Sequence, residues 1–179
     1  MKVIIITNMI PPYRDPLFEE IAKNELINKL SVFTYKENEP NRKWVDKKNY
    51  YYEVKKFQGV SIIIGNKLNP YKILHLYPSM ILNIMLEKPD HIILGDISLT
   101  TYLILSIVKL IGIKTTLWYE DSREIQEVNK ISKYIKSFFY KFINNYITPS
   151  SSSKKQLVNM GIKSRRIEII PNAVENSKF

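Results

Sequence analysis

The run KVIIIT at Lys2–Thr7 is apolar at successive positions rather than alternate ones. Side chains of a strand alternate between two faces, so such a run needs cover on both. That is the situation of a parallel sheet enclosed by helices, not of a hairpin with one wet face. Comparable runs recur as LSVFTY (Leu30–Tyr35), HIILGD (His91–Asp96), TTLWYE (Thr115–Glu120), YITP (Tyr146–Pro149) and IEII (Ile167–Ile170). YYYEVKKF (Tyr50–Phe57) is less apolar and suits a strand nearer an edge. KENEPNRKWVDKK between the second and third strands reads as a polar loop.

Segments with helical spacing separate these runs. Asp15 is expected to cap the first helix with Pro16 at its first position, and Leu17, Phe18, Ile21 and Ala22 share a face that Leu26 continues. Tyr71–Glu87 reads as a helix that Pro78 must kink or break. Leu99–Leu110 is apolar almost all round and ends at Gly112. A fourth helix carries an apolar and aromatic stripe from Ile131 to Ile143 and is expected to run from Lys130 to Tyr146 with the stripe inward. Ser150 or Ser151 caps SSSKKQLVNM, which Gly161 closes. Strands alternating with helices predict an α/β fold: a doubly wound, mostly parallel, Rossmann-like sheet of about seven strands flanked by helices.

The 179 residues fit one domain with a core of its own. There is no cysteine, and the two histidines, His75 and His91, are far apart, which leaves no basis for a disulfide framework or a thiolate or His-based metal site. Both are read as structural. No apolar run reaches the roughly 20 residues of a membrane span, and MKVIIIT is too short for a signal peptide. The expected location is cytoplasmic, with peripheral contact to the inner membrane face. Net charge is +10, and Lys130–Arg166 holds nine basic residues and no acidic one. This is either a solvated face or a docking surface for an anionic membrane.

In doubly wound sheets, ligands bind beyond the carboxyl ends of the strands. The loops there are NMIPPYRD, GDIS and YEDSRE. Together with the C-terminal segment, they carry a resemblance. YITPSSSSKKQLVNMGIKSRRIEIIPNAV resembles the late N-terminal-domain signature of GT-B glycosyltransferases of the family 4 type, in which a strand ends in IPNGV and an acidic residue. ITNMIPPYRDPLFEEIAK resembles the opening of one branch of that family, and KPDHIILGD and IGIKTTLWYED resemble its middle strands. The likeness covers nearly the whole chain. It implies that residues 1–170 form the N-terminal, acceptor-side domain and residues 171–179 the start of an interdomain hinge. It also implies a C-terminal donor-binding domain that is absent, in line with the lack of the family's Glu-x7-Glu pair. The first turn departs from many relatives in lacking glycine, and Ala173 replaces the glycine of the IPNGV step.

Glycosyl transfer requires that the acceptor hydroxyl be held and the charge of the reacting sugar balanced. Candidate catalytic residues are Glu120 and Asp121, where one carboxylate would orient the hydroxyl or act as its base. The alternative is that Arg123 neutralises them. Candidate substrate-binding residues are Tyr13, Arg14, Asp96 and Arg123. Arg14 would hold a phosphate or carboxylate, unless it is paired with Asp15 or Glu19. Asp96 would accept from a sugar hydroxyl, unless it or Ser98 caps the next helix. Trp118 and Tyr119 can stack on a sugar, though a Trp that ends a buried strand is more often core. No cofactor and no metal are expected; the nucleotide-sugar is a co-substrate, bound mainly by the missing domain.

The resulting expectation is half of a retaining glycosyltransferase, acting on a cell-envelope polysaccharide or lipid-linked acceptor and inactive in isolation. The alternatives are a non-catalytic docking subunit with a separate donor-domain chain and, less well supported, a basic nucleic-acid-binding protein. The acidic ligand edge argues against the last.

Overall fold

The structure, a computed structural model, describes residues 1–35, 49–64, 72–95, 97–120 and 130–172. It has seven parallel strands in the order β3-β2-β1-β6-β7-β8-β9 and a separate two-stranded sheet, β4-β5. β1 (Lys2–Thr7) lies between β2 (Lys29–Thr34) and β6 (His91–Leu94). β3 (Glu53–Lys56) is one edge, as its polarity suggested, and β7 (Lys114–Trp118), β8 (Asn145–Thr148) and β9 (Ile167–Ile169) continue to the other.

The successive apolar residues of β1 divide between two cores. Ile4 and Ile6 join Phe33, Ile92, Leu94 and Leu117 beneath α2 (Pro78–Glu87), α3 (Leu99–Leu110), α4 (Lys130–Tyr140) and α5 (Ser151–Asn159). Val3 and Ile5 join Leu30, Val32 and Trp118 beneath Phe18 of α1 (Asp15–Lys23). Full burial of an isoleucine side chain contributes about 1.5–3 kcal/mol, so a polar residue at any of these positions would be costly. Helices cover both faces, and the sheet is doubly wound.

Local signals set several boundaries. Ser98 and Ser150 cap α3 and α5, each accepting from the backbone N–H three residues on at 3.2 Å. Gly112 and Gly161 take positive φ, +78° and +89°, just after α3 and α5. Conformations of that kind are cheap only for glycine.

Four expectations need correction. Tyr71–Glu87 is not one helix. Lys72–Leu76 is strand β5, paired antiparallel with β4 (Val60–Ile64), and α2 begins at Pro78. Proline disfavours a helical conformation at the residue before it, here Tyr77, yet fits the first helical turn. Asp15 does not cap α1. Arg14 occupies that position without a side-chain bond, and the Asp15 carboxylate accepts instead from the Tyr52 hydroxyl at 2.8 Å. α4 stops at Tyr140 rather than Tyr146, because Asn145–Thr148 is taken up by β8. The apolar stripe is only partly inward: Ile143 is buried and Phe139 packs against the core, whereas Tyr134, Ile135 and Phe138 are exposed.

Candidate functional site

The loop leaving β1 is organised without glycine. Thr7 Oγ1 donates to the Met9 carbonyl at 3.0 Å, and Asn8 Oδ1 accepts from Met9 N–H at 2.9 Å. Arg14 N–H then donates to the Pro11 carbonyl at 2.9 Å, closing a turn that delivers Arg14 to the start of α1. The Arg14 side chain lies over the sheet's carboxyl edge. Its Nη2 pairs with Glu120 Oε1, and its Cζ lies 4.7 Å from the Trp118 ring centroid and 6.0 Å from that of Tyr13. Trp118 is the last residue of β7, and Glu120 follows two residues later. Since β6 separates β1 from β7, the ion pair bridges the carboxyl end of β6, where Gly95 stands. A Cβ on Gly95 would sit 3.0 Å from the Ile6 carbonyl oxygen, so this edge is tightly closed below the pair.

The pair is asymmetric. The Arg14 side chain is 9% exposed and that of Glu120 35%. A guanidinium removed from water needs compensation, and Glu120 and the Trp118 face supply part of it. Among the described residues, four buried polar side-chain atoms without a hydrogen-bond partner lie at this edge or in the loop beside it: Arg14 Nε, Trp118 Nε1, Thr34 Oγ1 and Thr148 Oγ1. Thr34 and Thr148 are the last residues of β2 and β8. The other such atom, Glu87 Oε1 near the opposite edge, faces Lys55 Nζ at 2.6 Å. Most buried polar groups in folded proteins are paired, so these exceptions set the carboxyl edge apart from the other described residues.

The structure thus brings Arg14, Glu120, Trp118 and Tyr13 together. Arg14 pairs with Glu120 across the sheet, not with Asp15 or Glu19, the neighbours weighed as the alternative to ligand binding. Asp96, Asp121 and Arg123 lie outside the described residues, as does the 173–179 part of the expected hinge. Tyr119 is core: its ring meets Tyr140 edge-on at 6.4 Å, and its hydroxyl donates to Gln156 Oε1 at 3.1 Å. His91 is structural as expected. Its Nε2 lies 2.8 Å from Thr116 Oγ1, and burial, with a smaller effect from Lys114, lowers its pKa from the ordinary value.

Sequence reasoning missed the pairing of Arg14 with Glu120 and the orphaned Arg14 Nε and Trp118 Nε1. The signal available was the placement of both loops at one sheet edge.

No protein-family model matches the sequence, and no curated protein does. Solved structures do match. UDP-GlcNAc 2-epimerase from Methanocaldococcus jannaschii superposes with a TM-score of 0.59 at 14% identity, over 96% of this chain and 46% of that one. Anabaena Alr3699/HepE, in complex with UDP-glucose, gives 0.61 at 13% identity over 98% and 44%. WaaB, a lipopolysaccharide outer core galactosyltransferase, gives 0.57 at 14% identity over 98% and 46%. The chain therefore spans less than half the length of each of these proteins. At such identities the likeness concerns architecture alone, and the architecture of this chain is a Rossmann-like domain of the kind found in GT-B enzymes.

Proposed function

We propose that this chain is the acceptor-side half of a glycosyltransferase of the family 4 type. It would help move a sugar from a nucleotide-sugar to a hydroxyl of a cell-envelope polysaccharide or lipid-linked glycan. The observation that carries this reading is the Arg14–Glu120 pair on Trp118 at the carboxyl edge of the sheet. Each part has a use in transfer. Glu120, the more exposed partner, would orient the attacking hydroxyl or take its proton. Arg14 would bind an acidic group of the acceptor, because its Nε has no partner of its own and a guanidinium suits a carboxylate or phosphate. Trp118 would add a second unpaired donor through its indole N–H. The leaving nucleoside diphosphate would be handled by a donor-binding domain, on the same chain or another.

Enzymes that transfer sugars and enzymes that epimerise sugar nucleotides both share this architecture. The order of motifs from PYRDP to IPNAV supports transfer.

Calorimetric titration and a turnover assay test the proposal. Glucuronic acid should bind the purified chain with more affinity than glucose, UDP-glucose should bind weakly or not at all, and no transfer should occur. Robust transfer, or epimerisation of UDP-GlcNAc, by the chain alone would refute it. Co-purification of a chain that binds nucleotide-sugar would favour the split arrangement.

A further inference from the structure

The Arg14–Glu120 pair uses only part of what Arg14 offers. Nη2 is taken by Glu120 Oε1, while Nε is buried without a hydrogen-bond partner. Nε–H and Nη2–H lie along one edge of a guanidinium, an edge that can grip a carboxylate or phosphate through two parallel bonds. An acid seated on that edge therefore reaches the atom that Glu120 holds. Two carboxylates at one cation also repel each other, and the repulsion is strong where water is largely excluded.

The two partners differ in freedom. Arg14 is fixed by its backbone and by its ring contact. Its N–H donates to the Pro11 carbonyl at 2.9 Å, its carbonyl accepts from Phe18 N–H at 3.0 Å, and its Cζ lies 4.7 Å from the Trp118 ring centroid. Glu120 is anchored through its neighbour: Tyr119 is buried, and its N–H donates to the Ile147 carbonyl at 2.8 Å. The Glu120 side chain itself is 35% exposed and lies beyond the end of β7, so it can turn to water without disturbing a strand. Loss of the Glu120 charge is costly for a guanidinium that is 9% exposed. Another anion has to arrive as Glu120 leaves.

We propose that Arg14 exchanges Glu120 for the acidic group of the incoming sugar, and that this exchange decides which acceptors are used. The inference rests on the reading of this edge as an acceptor site. An acidic sugar replaces Glu120 charge for charge. The displaced carboxylate, still beside the same edge, becomes free to accept a hydrogen bond from the acceptor hydroxyl. A neutral sugar brings no charge with which to displace it, and Glu120 stays on Arg14. Recognition of the acid and release of the Glu120 carboxylate are thus one event. Arg14 sets specificity by holding Glu120 back as well as by touching the ligand.

Calorimetric titration of the purified full chain with glucuronic acid and with glucose tests the exchange. Competition between ligand and Glu120 requires that removing the Glu120 charge help the ligand. Glu120→Gln should bind glucuronic acid on the order of tenfold more tightly than the unaltered chain, with glucose binding unchanged. Arg14→Met should bind glucuronic acid no better than glucose. Saturating glucuronic acid should also raise the thermal midpoint of Glu120→Gln more than that of the unaltered chain, since the bound acid restores the charge that glutamine lacks. In the unaltered chain, the Glu120 carboxyl carbon resonance, assigned by Glu120→Asp, should shift during titration with glucuronic acid and stay in place with glucose. Equal or weaker binding by Glu120→Gln, with binding still lost in Arg14→Met, would overturn the exchange and leave the acceptor-site reading standing. No binding of glucuronic acid by either the unaltered chain or Glu120→Gln would overturn both. A Glu120 carboxyl resonance unmoved at saturation would overturn the exchange even if Glu120→Gln does not fold.

Discussion

Replacing Glu120 with glutamine should cost more stability than replacing Arg14, the partner it holds. The reason is the difference in burial. Glu120→Gln leaves a guanidinium that is 9% exposed without the Glu120 charge, against the Trp118 and Tyr13 rings. Stranding a buried charge costs 3–5 kcal/mol when both partners are buried, whereas wholly exposed pairs contribute about 0–1. With Glu120 35% exposed, the pair falls between these limits, and about 2 kcal/mol is the working figure. Arg14→Met leaves a carboxylate that water can reach and puts a thioether against the indole, so its cost should be about 1 kcal/mol or less. Urea unfolding at neutral pH, with unchanged m-values, measures both as shifts in midpoint. Equal costs, or a larger cost for Arg14→Met, would show that Arg14 is not held as a desolvated cation.

Other consequences follow from particular contacts. Gly59→Ala should destabilise by about 1–3 kcal/mol, because its Cβ would fall 2.5 Å from both the Leu76 carbonyl oxygen and the Tyr77 ring. Thermal melting would check this, and an unchanged midpoint would contradict the packing. Tyr52→Phe removes a donor to the buried Asp15 carboxylate and should cost about 1.5–3 kcal/mol by denaturant titration; a cost under half of that would mean the bond is dispensable. Lys29, and secondarily Ser31 and Lys55, hold the Glu53 carboxyl below its ordinary value of 4.5. A lowered carboxylate stabilises the fold above its unfolded pKa, so stability should fall as pH drops below about 4.5. Glu53→Gln should flatten that part of the stability–pH profile, and an unaltered slope would show that Glu53 does not contribute to it.

The sheet was legible because a strand buried on both faces must be apolar at consecutive positions, and KVIIIT and HIIL have few other uses. Gly112, Gly161, Ser98 and Ser150 were legible because caps and positive φ are local requirements. KILHL was not, since its apolar residues suit a helix or a strand, and pairing with Val60–Ile64 decides between them. The Asp15 cap failed through a contact with Tyr52, far along the chain. The α4 stripe was visible as a pattern, but periodicity does not say how wide an arc the domain covers. At the site, topology brought the loops of Arg14 and Glu120 to one edge, while their pairing depends on a contact more than a hundred residues apart in sequence, which no local rule supplies.

The proposed acceptor site is the carboxyl edge at Arg14, Trp118 and Glu120, where an acidic sugar would bind. The indole N–H resonance of Trp118, assigned by Trp118→Phe and followed by NMR during titration with glucuronic acid, tests it most directly. A saturable shift of that resonance is expected, larger than glucose produces and lost in Arg14→Met. No shift, or an equal shift in Arg14→Met, would contradict it.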